Sequence, residues 1–290
     1  MSSILTNNSA MVALSTLKMV NTGLNETQNR VSSGLAIRSG KENAAYFAIS
    51  ETMKGDSGMF KAINEGLTST KNSVATARLG AETVADLAEQ FVERVAFAQG
   101  NGIDLGEVQS ELGELVKRMD SAIKQATFNG DDLVNASSDG ATGNAATVSV
   151  TAISGVSRAG GSFSTTTISF TGVDLASIRG DMTNTDTGFA AIDVSTSTDL
   201  AADLATAEGL LSSAIAAATS LGVTEKTVEG QQAFLGSLTD TLDSGIGAMV
   251  DANMEEEAAR LQAYQVQQQL ATQSLSIANQ APQNILSLFR

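Results

Sequence analysis

The sequence predicts a mainly α fold, a long coiled-coil helical rod built from both chain ends with a small β-rich central insert. Three observations carry this. Apolar residues recur at alternating spacings of three and four on either side of the centre, the pattern of helices that bury a stripe lengthwise. A single proline, Pro282, stands in 290 residues, so almost nothing interrupts a helix. The chain is 42% hydrophobic but only 4% aromatic and has no Trp, which suits narrow bundles with Ala, Leu and Val seams.

The first segment repeats apolar residues by sevens at Ala10, Leu17, Leu24 and Val31, with Leu5, Val12 and Met19 on an offset series. A helix with two stripes needs two neighbours, or one neighbour and further copies of itself. Ser32-Ser33-Gly34 supplies a glycine stop, and residues 35–41 read as a connector. Next comes an unbroken seam, Val74, Ala77, Ala81, Val84, Ala88, Phe91, Val95 and Ala98. Turn formers follow at Gln99-Gly100-Asn101-Gly102, then a capping-box spacing, Asp104 to Glu107. A second seam, Leu105, Val108, Leu112, Leu115, Met119, Ala122 and Ala126, completes a helical hairpin whose C-terminal stop is read at Asn129-Gly130.

From 137 to 198 the period changes to two, in 147–151 and 167–171, with Gly160-Gly161 between them. Helical spacing resumes at Leu204, Ala207, Leu211, Ala214, Ala218 and Leu221, and continues by sevens at Val228, Leu235, Leu242 and Met249. The last segment carries Met254, Ala258, Leu261, Val266, Leu270, Leu275 and Ile277 among uncharged amides such as Gln265, Gln268 and Gln273. Such amides hydrogen-bond a neighbour without the desolvation cost of a buried charge. Met11, Met19, Met249 and Met254 read as core filling. The expected division is 1–40 with 250–290 as a terminal coiled coil, 41–136 with 199–249 as a helical rod domain, and 137–198 as a variable surface insert.

Composition excludes much chemistry. With no Cys and no His, disulfides, thiolate nucleophiles, imidazole bases and the common zinc sites are all ruled out. Asp131-Asp132 and Glu255-Glu256-Glu257 are adjacent carboxylates, read as a helix end and a polar helix face rather than an acid–base pair. Asn184-Thr185-Asp186-Thr187-Gly188 lacks the spacing and terminal Glu of a calcium loop and reads as a turn. The sequence thus predicts no enzyme, no cofactor and no metal site. Net charge is -15: residues 1–136 carry 12 Lys and Arg against 16 Asp and Glu, 137–245 carry 3 against 12, and the rest 2 against 4. An acidic middle repels phosphate backbones and anionic lipid, so neither nucleic-acid binding nor membrane insertion is expected. The opening residues lack the basic start and apolar run of a cleaved secretory signal.

Several motifs in order carry a family resemblance. The end, Ala278-Asn279-Gln280-Ala281-Pro282-Gln283-Asn284-Ile285-Leu286-Ser287-Leu288, resembles the C-terminus of bacterial flagellins. So does the start, in Leu5-Thr6-Asn7-Asn8-Ser9 and Arg30-Val31-Ser32-Ser33-Gly34-Leu35, with Thr127-Phe128-Asn129-Gly130 and Ala258-Ala259-Arg260-Leu261 as further family signatures. The resemblance implies a structural subunit that is exported through a type III channel and self-polymerises into the extracellular flagellar filament for swimming. A hook-filament junction protein of the same superfamily is the alternative. Implied partners are further copies of the chain, the export apparatus, the filament cap, the junction proteins and an export chaperone.

On that reading, subunit packing by the terminal helices falls to Leu5, Val12, Leu17, Met19, Leu24, Val31, Leu261, Val266, Leu270, Leu275, Ile277, Ile285, Leu286 and Leu288. The rod-domain seams are represented by Val84, Phe91, Val95, Leu112, Leu115, Met119, Leu235 and Leu242. The insert is expected to face solvent, and 140–195 to be replaceable by a short linker without loss of assembly. In flagellins recognised by the animal Toll-like receptor for this family, an Arg stands between a Gln and a Val. Here Phe91 lies between Gln90 and Val92, which speaks against that recognition.

Overall fold

The computed structural model describes residues 7–135, 149–159, 162–180 and 188–288. It is mainly helical, with long helices from both chain ends and a small central strand pair. Two compact units are present: Met1–Ser57 with Asp240–Arg290, and Gly58–Thr239.

The 58–239 unit is organised by α2 (Ala44–Ala98), α3 (Leu105–Gln125) and α5 (Leu200–Val250), of which α2 and α5 also contribute residues to the other unit. Asp104 caps α3, accepting from the N–H groups of Gly106 and Glu107 at 2.9 and 3.4 Å. This turns the chain so that α3 returns antiparallel along α2. Arg94 meets Glu111 at 3.2 Å, and further along Gly80 meets Ala126. A Cβ on Gly80 would lie 2.3 Å from the Ala126 Cβ, so only glycine permits this approach. On another side α5 runs antiparallel to α2, with Arg78–Glu225 at 2.6 Å, Lys71–Glu229 at 2.8 Å, and Gln232 donating to the Thr68 hydroxyl at 2.8 Å. The facing carboxylates hold the Arg78 and Lys71 pKa values up. Their stabilising effect is small because these pairs remain solvated. Stability comes instead from the core, where Val74 to Ala98 of α2, Val108 to Ile123 of α3, and Ala207, Ala214, Ala217 and Leu221 of α5 form one buried cluster.

Among the described residues, α5 is the one helix long and apolar enough to cross a membrane by length and composition. In this fold its apolar residues Ala207, Ala214 and Leu221 are completely buried against the other helices, while Ile215, Val223 and Phe234 of the same helix are exposed.

The helix stop read at Asn129-Gly130 is corrected. Helix α3 ends at Gln125, and a two-residue pair, β1 (Thr127–Phe128) and β2 (Asp131–Asp132), follows. Asn129 and Gly130 form its turn, with φ of 52° and 88°. Positive φ at both central residues is what a type I′ hairpin requires, and Asn-Gly satisfies it at least cost.

The central segment contains an antiparallel hairpin, β3 (Ser149–Ala159) and β4 (Ser162–Thr171), with a bulge between Ile153 and Gly155. It also contains helix α4 (Leu175–Arg179), capped by Asp174, and a single 3-10 turn at Phe189–Ala191. Part of this segment is buried rather than facing solvent. Phe170, Leu175, Phe189, Ile192 and Val194 are buried in the same cluster as α2 and α3. Phe189 packs against Phe91 with the rings tilted at 60° and their centroids 4.9 Å apart. The Gln109 amide holds the strap beside it, accepting from Val194 N–H at 3.0 Å and donating to the Ile192 carbonyl at 3.4 Å. Further along, Ala152 packs with Leu67, Val228 and Leu235, and Gln231 donates to the Ser154 carbonyl at 2.7 Å. Thus the hairpin covers the α2–α5 pair where α3 has already stopped. The expected turn at 184–188 falls, but for Gly188, outside the described residues.

In the other unit, α1 (Asn8–Ser33) ends at Gly34, whose φ of 74° lets its N–H return to the Arg30 carbonyl at 2.8 Å. Backbone bonds then tie the connector to the end of α5. Ala36 N–H reaches Val250 O at 2.7 Å, and Ala252 N–H reaches Gly34 O at 2.9 Å. Glu42 braces the turn by accepting from the Arg38 N–H at 2.6 Å and from its guanidinium at 3.2 Å. The backbone bond, then the charge, holds the Glu42 carboxyl below its usual range. Helix α6 (Met254–Leu288) follows, with Asn253 capping its start.

Candidate assembly surface

Helices α1 and α6 pack antiparallel along a heptad seam. On α1 its positions are Ala10, Ala13, Leu17, Val20, Leu24, Thr27 and Val31. On α6 they are Glu257, Leu261, Tyr264, Gln268, Ala271, Leu275 and Ala278. All are buried or half-buried, in steps of three and four. Only Val20, Leu24, Thr27, Glu257 and Ala271 are fully buried.

Four polar or close contacts run along the seam. Asn7 caps α1, accepting from Ala10 N–H at 3.1 Å, and donates to the Ala278 carbonyl at 2.7 Å. Gln268 donates to the Asn21 side-chain oxygen at 2.7 Å. The Tyr264 ring lies over Gly23, where a Cβ would come within 2.7 Å of it. Arg30 meets Glu257 at 3.4 Å.

The outward faces carry a second apolar stripe. Met11 and Val12 are each 63% exposed, Met19 68%, Leu270 59% and Ile277 63%. Leu14, Met254 and Val266 are exposed as well. Reading Met11, Met19 and Met254 as core filling is therefore wrong within one chain. A groove of about 420 Å³ runs between the helices, lined by Val12, Thr16, Val20, Leu270, Ala271 and Ser274 among others.

Of the terminal packing residues, Leu24 is buried in the α1–α6 seam and Leu17, Val31, Leu261 and Leu275 are half-buried there. Val12, Met19, Val266, Leu270 and Ile277 lie on the outward stripe. Leu5 lies outside the described residues, and of Ile285, Leu286 and Leu288 only the helical backbone is described. In the 58–239 unit Val84, Phe91, Val95, Leu112, Leu115, Met119 and Leu235 are buried. Leu242, in the other unit, is half-buried. Sequence reasoning missed Val20, Thr27, Tyr264 and Ala271, and read Gln268 as bonding a neighbouring copy, whereas it bonds Asn21 of the same chain. Continuing the three-and-four step from Ala10, and back from Ala278, would have found the missed residues.

The carboxylate groups serve local structure. Asp132 accepts from Val134 and Asn135 N–H at 3.2 and 2.9 Å, and Asp131 accepts from Ser73 at 3.4 Å. Glu256 accepts from Arg260 at 2.6 Å and raises the guanidinium pKa. Among the described residues, no group of three side chains is placed to hold a metal ion. What this surface can do is bury apolar area: a large aliphatic side chain moved from water to a packed contact contributes about 1.5–3 kcal/mol.

That arithmetic makes a prediction for the isolated chain. Ordering a residue costs about 1–2 kcal/mol, and α1 with α6 fully buries few side chains along its length. In dilute monomer these two helices are the first segments that protease removes. Limited proteolysis read by mass spectrometry checks this, and resistance of both ends would contradict it.

Two family models match the chain, the bacterial flagellin N-terminal helical region over residues 4–139 and the bacterial flagellin C-terminal helical region over 204–289. Relatives cover its whole length. The chain is 34% identical to the flagellin of Brucella melitensis biotype 1 over 293 residues, with all of both chains aligned. It is 32% identical to flagellin C of Rhizobium meliloti over 324 residues, again with all of both chains aligned. To flagellin FljK of Caulobacter vibrioides it is 30% identical over 293 residues, covering all of this chain and 99% of the relative.

Proposed function

The chain belongs to the bacterial flagellin family, and from that membership we propose how it works as a structural subunit of the flagellar filament. It polymerises with copies of itself. The observation that carries the mechanism is the second stripe: α1 and α6 satisfy one seam within the chain and leave Val12, Met19, Leu270 and Ile277 exposed for neighbouring copies. Those contacts order the terminal helices on assembly, because the neighbour's apolar area offsets their conformational entropy. Residues 1–40 with 250–290 form the inner part of the polymer, 41–136 with 199–249 the helical layer around it, and 137–198 the variable outer segment.

The finer reading follows the same premise. The subunit is exported to the cell exterior, adds beneath the filament cap, meets the hook-junction proteins at the base, and is escorted by an export chaperone. It is not an enzyme. The relatives above are named flagellins rather than junction proteins, which supports extension of a polymer over capping of one. Adding purified chain to short filament seeds tests this by electron microscopy. Elongation of the seeds is expected, and seeds that keep their starting length would refute the reading.

A further inference from the structure

The apolar part of the α1–α6 seam does not decide which residue faces which. On α6, Leu261, Gln268 and Leu275 form one series of sevens and Tyr264, Ala271 and Ala278 the other. On α1, Ala10, Leu17, Leu24 and Val31 alternate with Ala13, Val20 and Thr27. Sliding one helix by a heptad keeps mostly apolar residues opposite apolar ones, so hydrophobic burial separates these alignments weakly.

The polar members of the seam do separate them. In the observed alignment Arg30 faces Glu257, Gly23 faces Tyr264 and Asn21 faces Gln268. Moving α6 seven places one way sets Tyr264 at Arg30, Ala271 at Gly23 and Leu275 at Asn21. Moving it the other way sets Glu257 at Gly23 and Leu261 at Asn21. Either slide parts Arg30 from Glu257, which is only 7% exposed. The pair's hydrogen bond runs from Arg30 Nη1 to Glu257 Oε1, while Arg30 Nε and Glu257 Oε2 are buried with no hydrogen-bond partner. A buried charge that loses its partner is far more costly than the pair is stabilising, which is how a polar contact specifies alignment in a coiled coil.

We infer that the Arg30–Glu257 pair and the Tyr264 ring over Gly23 select the register of α1 against α6 along the seam, beyond the backbone bonds that join Ala36 to Val250 and Gly34 to Ala252 at its one end. The inference concerns which residues of α1 and α6 meet within one chain, whether the two helices order in the free chain or on assembly.

Because the chain has no Cys, introduced thiols report register without background. Asn21→Cys combined with Gln268→Cys reports the observed alignment, while Asn21→Cys combined with Leu275→Cys or Leu261→Cys reports the two slides. The full chain is treated with a short bismaleimide at high concentration, with and without seeds, and intramolecular links are separated by mass from links between copies. A failure to polymerise is then visible apart from a failure of register. With Arg30, Glu257 and Tyr264 retained, only positions 21 and 268 are expected to link. With Arg30→Met, Glu257→Met and Tyr264→Ala together, links at the slid pairs rise about a hundred-fold, the scale of a buried charge losing its partner. Reversing the pair, Arg30→Glu with Glu257→Arg and Tyr264 kept, returns linking to 21 and 268. Slid links that stay absent from the triple variant, or persist in the reversed pair, overturn the inference. So does loss of every link in the triple variant, because the ties would then cause pairing rather than its alignment.

Discussion

Replacing residues 140–195 by a short linker unfolds the 58–239 unit. The sequence reading expected the opposite, on the ground that a Gly-, Ser- and Thr-rich insert faces solvent. The excised stretch holds Phe170, Leu175, Phe189, Ile192 and Val194 in the main core, and Ala152 against Leu67, Val228 and Leu235. Truncating one buried Leu or Phe costs about 2–5 kcal/mol, and losing several together exceeds the roughly 5–15 kcal/mol by which a domain is stable. Phe189→Ala alone is expected to destabilise the unit by about 3–5 kcal/mol, since it empties the space beside Phe91. Thermal melts followed by circular dichroism check both. A shortened chain that melts cooperatively at the parent temperature would show that these residues cover the core without supporting it.

Leu275→Asp is expected to abolish filament growth while leaving the 58–239 unit folded. Leu275 lies half-buried in the α6 seam, one step from Ala271 and Ala278. A carboxylate placed in that seam without a partner costs several kcal/mol, roughly the scale for unpaired buried charge. Neither buried cluster of the 58–239 unit includes this position, so the melting transition of that unit should not move. Seeds incubated with the variant and inspected by electron microscopy give the answer. Filaments of normal length would remove Leu275 from the packing surface.

Much of the helical organisation is legible in the sequence because helical burial leaves a periodic trace. Val74 to Ala98 recur in threes and fours, and those eight residues are at most 2% exposed. The strand pair is likewise visible in the period of two, though β3 and β4 extend well past the segments that signalled them. What was not legible is burial without periodicity. Leu175 sits in a five-residue helix, and Phe189, Ile192 and Val194 lie in a strap too short to establish any repeat. Asn129-Gly130 was misread because glycine marks both helix ends and tight hairpins. Thr127 and Phe128 decide between them, by pairing as a strand with Asp131 and Asp132. In α1 both stripes were visible, but amphipathicity alone does not say which stripe is satisfied by α6.

The antiparallel pairing of α1 with α6 also sets a timetable for synthesis. Its contacts join Asn7 to Ala278, Asn21 to Gln268 and Arg30 to Glu257, separations of 271, 247 and 227 residues. Arg78 waits for Glu225, 147 residues later. At about 5–20 residues per second, a ribosome finishes the partner of α1 tens of seconds after α1 itself. Throughout that interval the N-terminal stripes have no intramolecular partner, and closing such long loops is slow once it becomes possible. The α1–α6 pair therefore stays open until α6 is made, whereas the 58–239 unit has all of its residues in hand before then.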